Sequence, residues 1–251
     1  MKGRSQGSIF QVFYITRCRH VSLSFVGIGT LNEGPLHAAL KEYYLRHGGQ
    51  AEVSINDYVA DVVRDGTIYE IQTGSFSGLN RKLSELIQSY PVRLVYPIAQ
   101  HKTIVKVADD RRTVISKRRS PKKGAMTDVL RELVYIPRLL AEKNFSLDVL
   151  LIEENELRIY DPKKVRRRGG WRIMERQMIS INDSLTIRSA RDLYEFFEEP
   201  LSEPFITKDI ELAMGAKPSI ARQMAYVLRH TDLIEMVGKA GRFVEYRFKS
   251  S

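Results

Sequence analysis

The most constraining stretch of this 251-residue chain is AEVSINDYVADVVRDGTIYEIQT, where two β-rich runs flank Asp65-Gly66. A two-residue Asp-Gly loop accommodates the positive φ angles of a tight hairpin, and it fixes the register of the strands that it joins. Counting outward from the turn, Arg64 faces Thr67, Val63 faces Ile68, Val62 faces Tyr69 and Asp61 faces Glu70. Gln72, two residues on, shares the face of Glu70. Like charges directly opposite each other destabilise a ladder, so a fold that keeps Asp61 against Glu70 is expected to place a cation between them. A hard divalent ion with oxygen ligands suits that pair.

Before the hairpin, LHAALKEYYL puts Leu36, Leu40, Tyr43 and Tyr44 on one stripe. The spacing predicts an amphipathic helix that stops at Gly48-Gly49. Glu33 stands at its N-terminal edge, where a helix dipole favours an acid, and Glu42 lies two turns further in. His37 follows Glu33 by one turn and is set aside as an ordinary helix histidine. After the hairpin, LNRKLSELIQSY reads as a second helix carrying Lys82, and VRLVYPI and TIVKV as two further strands.

A helix with an acid, an Asp at the end of one hairpin strand and Glu-x-Gln on the next resemble the PD-(D/E)XK, or restriction-endonuclease-like, nuclease superfamily. The resemblance spans about residues 31–107 and extends to the αβββαβ order of elements, and it is closest to branched-DNA resolvases and the nuclease subunits of heteromeric transposases. It implies an α+β fold with a mixed sheet and a Mg²⁺- or Mn²⁺-dependent endodeoxyribonuclease. Asp61, Glu70 and the Ile71 carbonyl would hold the metal, Glu33 would help ligate or orient it, and Gln72 would position the water. Two departures stand out: Ala60 replaces the usual proline, and Gln72 the usual lysine. An amide cannot carry positive charge, which makes Lys82 the candidate source of the missing ammonium.

The charge distribution supports an anionic partner. The chain has 40 Lys and Arg against 30 Asp and Glu, a formal net charge of +10. Residues 1–20 carry four bases and no acid, residues 101–125 nine bases and two acids, and residues 163–176 seven bases and one acid. Bases gathered into blocks are the pattern of a phosphate-facing surface. Lys117, Arg118, Arg119, Lys122 and Lys123 in the second block, and Arg166, Arg167 and Arg168 in the third, are the expected DNA contacts. A second copy of the chain is a further candidate partner.

Between these blocks, TDVLRELVYIPRLLAEK reads as a helix kinked at Pro137, and FSLDVLLIE and ELRIYD as a hairpin turning at Glu154-Asn155. Trp171 is expected to pack. Ser189 opens a helix through a Ser-x-x-Asp cap. Near the end, a helix capped by Thr207, a second helix from Lys217-Pro218 to about His230, and two strands around Gly238–Gly241 resemble a winged helix-turn-helix. Its second helix would bury Ile220, Met224, Val227 and Leu228 and turn Ser219, Arg222, Gln223, Tyr226 and Arg229 outward, with Arg222 and Arg229 reaching DNA. Three regions follow: an N-terminal arm (1–30), a nuclease-like domain with basic insertions (31–185) and a winged-helix domain (186–251).

Other chemistry is poorly supported. The single cysteine, Cys18, leaves no intrachain disulfide or multi-cysteine zinc cage and points to a cytoplasmic protein. No early apolar run is long enough to span a bilayer. Gly27-x-Gly29 lacks the third glycine of a dinucleotide site, and no phosphate loop or nucleophile elbow is present. The alternative to an enzyme is a DNA-binding regulator built on a degenerate nuclease core.

Overall fold

A computed structural model describes residues 21–22 and 33–249. The arm expected over residues 1–30, including Cys18, otherwise lies outside the described residues. Its described part is a two-residue strand, β1 (Val21–Ser22), paired antiparallel to Ile181 and Ser180.

The predicted alternation of helix, three strands, helix and strand is realised. Helix α1 (Pro35–Leu45) opens with proline in its first turn, where the missing N–H has no intrahelical role. Three strands follow, β2 (Gln50–Ile55), β3 (Tyr58–Arg64) and β4 (Thr67–Ile71), then helix α2 (Leu79–Leu86) and strand β5 (Val92–Val107). The hairpin of β3 and β4 keeps the register counted from its loop, with Arg64 on Thr67, Val63 on Ile68 and Val62 on Tyr69. Asp65 at φ 50° and Gly66 at φ 73° form the turn.

Strands β6 (Val114–Arg119), β7 (Phe145–Tyr160) and β8 (Trp171–Ile187) complete a mixed sheet in the order β1-β8-β7-β5-β4-β3-β2, with β6 paired to the second half of β5. The fold is α+β. β5 pairs parallel with both β4 and β7, the remaining pairs being antiparallel. α1 covers one face, where Leu36, Leu40 and Tyr44 pack on Val62, Tyr69, Val95 and Ile152. On the other face, α2 contributes Leu83 and Leu86 to a larger core with Ile68, Leu94 and Leu147.

Three expectations for residues 92–160 change. VRLVYPI and TIVKV are one 16-residue strand with a register shift between Ala99 and His101. FSLDVLLIE and ELRIYD are likewise one 16-residue strand rather than a hairpin. Glu154-Asn155 contains no glycine to take a positive φ, and Glu154 is fully buried between Lys102 and Arg176, which come from the strands on either side. The stretch expected as one kinked helix is a 3₁₀ turn (Met126–Val129), the single turn α3 (Leu130–Leu133) and, after a break, a second 3₁₀ turn (Pro137–Ala141) that begins at the proline. A proline that opens a new turn avoids the clash it would cause inside a helix.

Ser189 and Asp192 cap a 3₁₀ helix, Ala190–Phe196, through the Asp192 carboxylate on the Ser189 N–H. Two helices follow, α4 (Thr207–Ala213) and α5 (Pro218–His230), then an antiparallel pair, β9 (Ile234–Ala240) and β10 (Phe243–Phe248). Thr207 is the first helical residue instead of the cap, and the Asp209 carboxylate takes the Ile206 N–H at 2.8 Å. The glycine turn is narrower than expected, since Gly238 lies within β9 and Gly241 (φ 61°) makes the reversal. On α5, Ile220, Met224, Val227 and Leu228 are buried as predicted, and they join the same apolar cluster as Leu130, Leu133 and Leu139. The core thus runs on past residue 186.

Candidate active site

The β3 strand is irregular where the site forms. Its ladder to β2 pairs Ala51 with Val62 and Val53 with Ala60, skipping the Glu52–Asp61 position, where Glu52 has φ 54°. Its ladder to β4 ends at Val62–Tyr69. The rung expected between Asp61 and Glu70 is therefore not a backbone pair. Instead the Asp61 Oδ2 accepts the Ile71 N–H at 2.8 Å.

His37 and Lys41 share one face of α1, and Glu33, just before the helix, lines up with them at the same four-residue spacing. Glu33 precedes the helix and does not cap it; its carboxylate bonds His37 Nδ1 through one oxygen and accepts Lys41 Nζ at 2.7 Å through the other. Lys41 also reaches Glu52 at 3.0 Å. His37 Nε2 stands 3.4 Å from Asp61 Oδ2. A histidine with a carboxylate at each ring nitrogen is best satisfied as the imidazolium. Burial opposes that charge, but the bonds and charges of Asp61 and Glu33 prevail and raise the His37 pKa. Burial likewise works to raise Asp61 and Glu33, and their hydrogen bonds hold both below the ordinary carboxylate range: His37 and the Ile71 N–H for Asp61, Lys41 and His37 for Glu33. Glu42, the acid within α1, pairs with Arg46 on the exposed side.

Glu70 meets α2. Its Oε2 accepts Lys82 Nζ at 2.6 Å, and the same ammonium reaches the Val59 carbonyl at 3.2 Å. Burial pushes the Glu70 pKa up to about 6 against the opposing Lys82. Its Oε1 is buried with no hydrogen-bond partner. An unsatisfied buried carboxylate oxygen is costly and marks a place where a cation gains most. The donor chemistry, two carboxylates and the adjacent Ile71 carbonyl, fits Mg²⁺ or Mn²⁺. Among the described residues no group of three or more His, Cys, Asp or Glu side chains is arranged to hold a metal.

Glu33, Asp61, Glu70 and Lys82 thus belong to one neighbourhood around the β3–β4 strand ends. Gln72 does not join them through its amide, which donates to the Ser75 carbonyl at 2.5 Å. His37 and Lys41 complete the network. Their signal in the sequence is the four-residue spacing from Glu33, but their partners Asp61 and Glu52 are brought in only by packing of helix on hairpin.

The bases expected to contact DNA in the second and third blocks are displayed outward, whereas Lys102, Arg172 and Arg176 of the same blocks are half-buried in ion pairs. Every residue of β6 is exposed, as are Lys122, Lys123, Arg166 and Arg167; nothing is described for the Arg168 side chain. Trp171 packs as expected, 5.5 Å from the Tyr160 ring. Arg222, Tyr226 and Arg229 are exposed on α5, whereas Ser219 and Gln223 are half-buried, a departure from the outward face predicted for them. Arg222, Tyr226 and Arg229 border a groove of about 320 Å³ with Arg242 and Phe243 of the β9–β10 turn region. Arg242 was not among the expected contacts.

No helix among the described residues is long and apolar enough to cross a membrane. No solved structure matches the chain. An uncharacterized protein of Treponema pallidum (strain Nichols) is 29% identical over 221 residues, which cover 88% of this chain and 87% of that protein. Residues 34–188, from the start of α1 to the end of β8, match the family described as a domain of unknown function, DUF8091, and to that family the chain belongs.

Proposed function

We propose that the protein is a metal-dependent DNA endonuclease of the PD-(D/E)XK type, acting on branched or otherwise structured DNA. The observation that carries this reading is Glu70: a buried carboxylate with one oxygen on Lys82 and the other without a partner, beside Asp61 at the end of an Asp-Gly hairpin. Order of elements supports it too, since α1, β2–β4, α2 and β5 follow the αβββαβ sequence.

A divalent ion held by Asp61, Glu70 and the Ile71 carbonyl would lower the pKa of a bound water and neutralise charge on the scissile phosphate. The remaining work falls to the chain itself. Lys82 supplies the ammonium that Gln72 lacks and stabilises negative charge gathered at Glu70. Glu33 and Lys41 fix His37, which in turn orients the Asp61 carboxylate. The exposed bases of β6 and of the turn after β7 hold the DNA backbone, and the C-terminal unit acts as a winged helix. In that unit the Phe205–Tyr246 bridge, α4, α5 and the β9–β10 wing place Arg222, Arg229 and Arg242 along one groove.

Asp61→Asn and Glu70→Gln are each expected to abolish Mg²⁺-dependent cleavage in a screen of linear, nicked, forked and four-way DNA, with fold and DNA affinity nearly unchanged. Cleavage at the wild-type rate by either variant removes the nuclease reading. The Lys82–Glu70 ion pair also suits a core that works without metal, as a DNA-binding regulator. Calorimetry with Mn²⁺ on the wild type and Asp61→Ala separates the two, because only the nuclease binds the ion and loses it with the aspartate.

A further inference from the structure

The outer halves of β5, β7 and β8 form an arm whose tip combines charge with an exposed ring. Parallel pairing sets Val107 beside Ile159, and antiparallel pairing sets Tyr160 opposite Trp171. Turns 108–113 and 161–170, some 50 residues apart in the chain, therefore meet at the same end of the sheet. Arg111 and Arg112 in the first, which also carries Asp109 and Asp110, and Lys163, Lys164, Arg166 and Arg167 in the second, are exposed, and among the described residues none of these six side chains is paired with a carboxylate.

Tyr160 stands between these turns with 53% of its surface exposed. Trp171 supports one side of it, its ring 5.5 Å away and tilted by 55°, and Lys106 Nζ in turn lies 4.3 Å over Trp171. Gly170 (φ 81°) lets the chain pass close by, since a Cβ there would fall 2.8 Å from the tyrosine ring. Held in this way, the ring loses little freedom on meeting a flat partner. Bases within a duplex stack on one another and offer no face, whereas an unpaired base does.

The geometry points to the arm tip as a binding site for an unpaired DNA strand, with Tyr160 stacking on a base and the exposed bases of the two turns, chiefly those of 161–170, holding its flanking phosphates. DNA as the polymer rests on the function proposed above. Such a site directs the protein to forks and branches over uninterrupted duplex.

Trp171 is the only tryptophan, so its emission reports on this tip in the full chain. The experiment titrates the metal-free protein, in chelator, with oligothymidylate of about 16 nucleotides and with duplex of equal charge. The expected result is saturable quenching by the single strand. Tyr160→Leu should weaken single-strand binding roughly 10-fold, Tyr160→Phe should retain it, and duplex affinity should stay within about twofold for both. Unchanged Trp171 emission at saturation overturns the site without recourse to any variant. So does a folded Tyr160→Leu protein that binds single strand as tightly as wild type, or one that weakens on both polymers alike. Oligouridylate bound more than about 10-fold tighter than oligothymidylate overturns the assignment to DNA. Strand binding without cleavage would sink the nuclease reading alone, and cleavage with an indifferent Tyr160→Leu would sink this site alone.

Discussion

Glu70 shows what burial does to a single carboxylate. Its pKa is raised from 4.5 to about 6, a gap worth about 2 kcal/mol. A raised folded-state pKa means that the native chain binds the proton more tightly than the unfolded chain. The stabilisation is complete below pH 4.5 and is lost as pH climbs through about 6. Metal-free wild type should therefore lose about 2 kcal/mol more than Glu70→Gln between pH 4.5 and 7 in urea titrations, because the amide does not ionise. Parallel stability curves for the two proteins would show Glu70 titrating as an exposed acid. Asp61 and Glu33 act oppositely, their lowered pKa values adding stability that is lost in acid. At this scale the two-residue loop makes the register legible as far as Val62 on Tyr69, whereas Asp61 bonds the Ile71 N–H instead of facing Glu70 on a rung. His37 was not legible, since nothing local announces that the hairpin will bring Asp61 to its other nitrogen.

Among the elements, those with local punctuation were readable. Lys217-Pro218 opens α5 and the helix ends at His230 as predicted, and Asp65-Gly66 closes the β3–β4 hairpin. The β7 strand was misread because a Glu-Asn pair between apolar runs looks like a turn. Its charge is instead matched across the sheet: Lys102 of β5 lies 2.9 Å from Glu154, Arg176 of β8 also 2.9 Å, and Lys102 and Arg158 both reach Glu156. Compensation by strands about 50 and 20 residues away leaves no periodic trace in the β7 sequence. Glu154→Ala should accordingly destabilise the fold by about 3–5 kcal/mol in chemical denaturation, since partly buried Arg176 loses its carboxylate and Lys102 one of its two. A cost under about 1 kcal/mol would mean that water, rather than Glu154, balances them.

Over the whole molecule, the basic blocks of residues 101–125 and 163–176 come together on the β5–β8 arm, and the arginines of the α5 groove form a second cationic surface. Polyelectrolyte behaviour tests the arm: replacing Lys117, Arg118 and Arg119 with glutamine should flatten the salt dependence of log K by up to about three units, at about 0.9 for each phosphate no longer neutralised. A slope that does not move would leave β6 as a solvated edge strand. The groove requires a different readout, because its arginines sit beside apolar groups and along a helix face. Arg229 packs against the Met236 sulfur and Arg242 over the Phe243 ring at 5.0 Å, which orients both guanidiniums before any ligand arrives. Preoriented arginines bound to base edges contribute discrimination of about 1–3 kcal/mol per base pair read, beyond their share of the salt slope. Arg222→Ala with Arg229→Ala should therefore weaken duplex binding by a few kcal/mol and narrow the spread of affinities among duplex sequences. The buried stripe of α5 is untouched by these changes, so the melting temperature should hold. If the double variant binds duplex as tightly as wild type, the C-terminal unit contacts protein, and placement of the duplex passes to the arm.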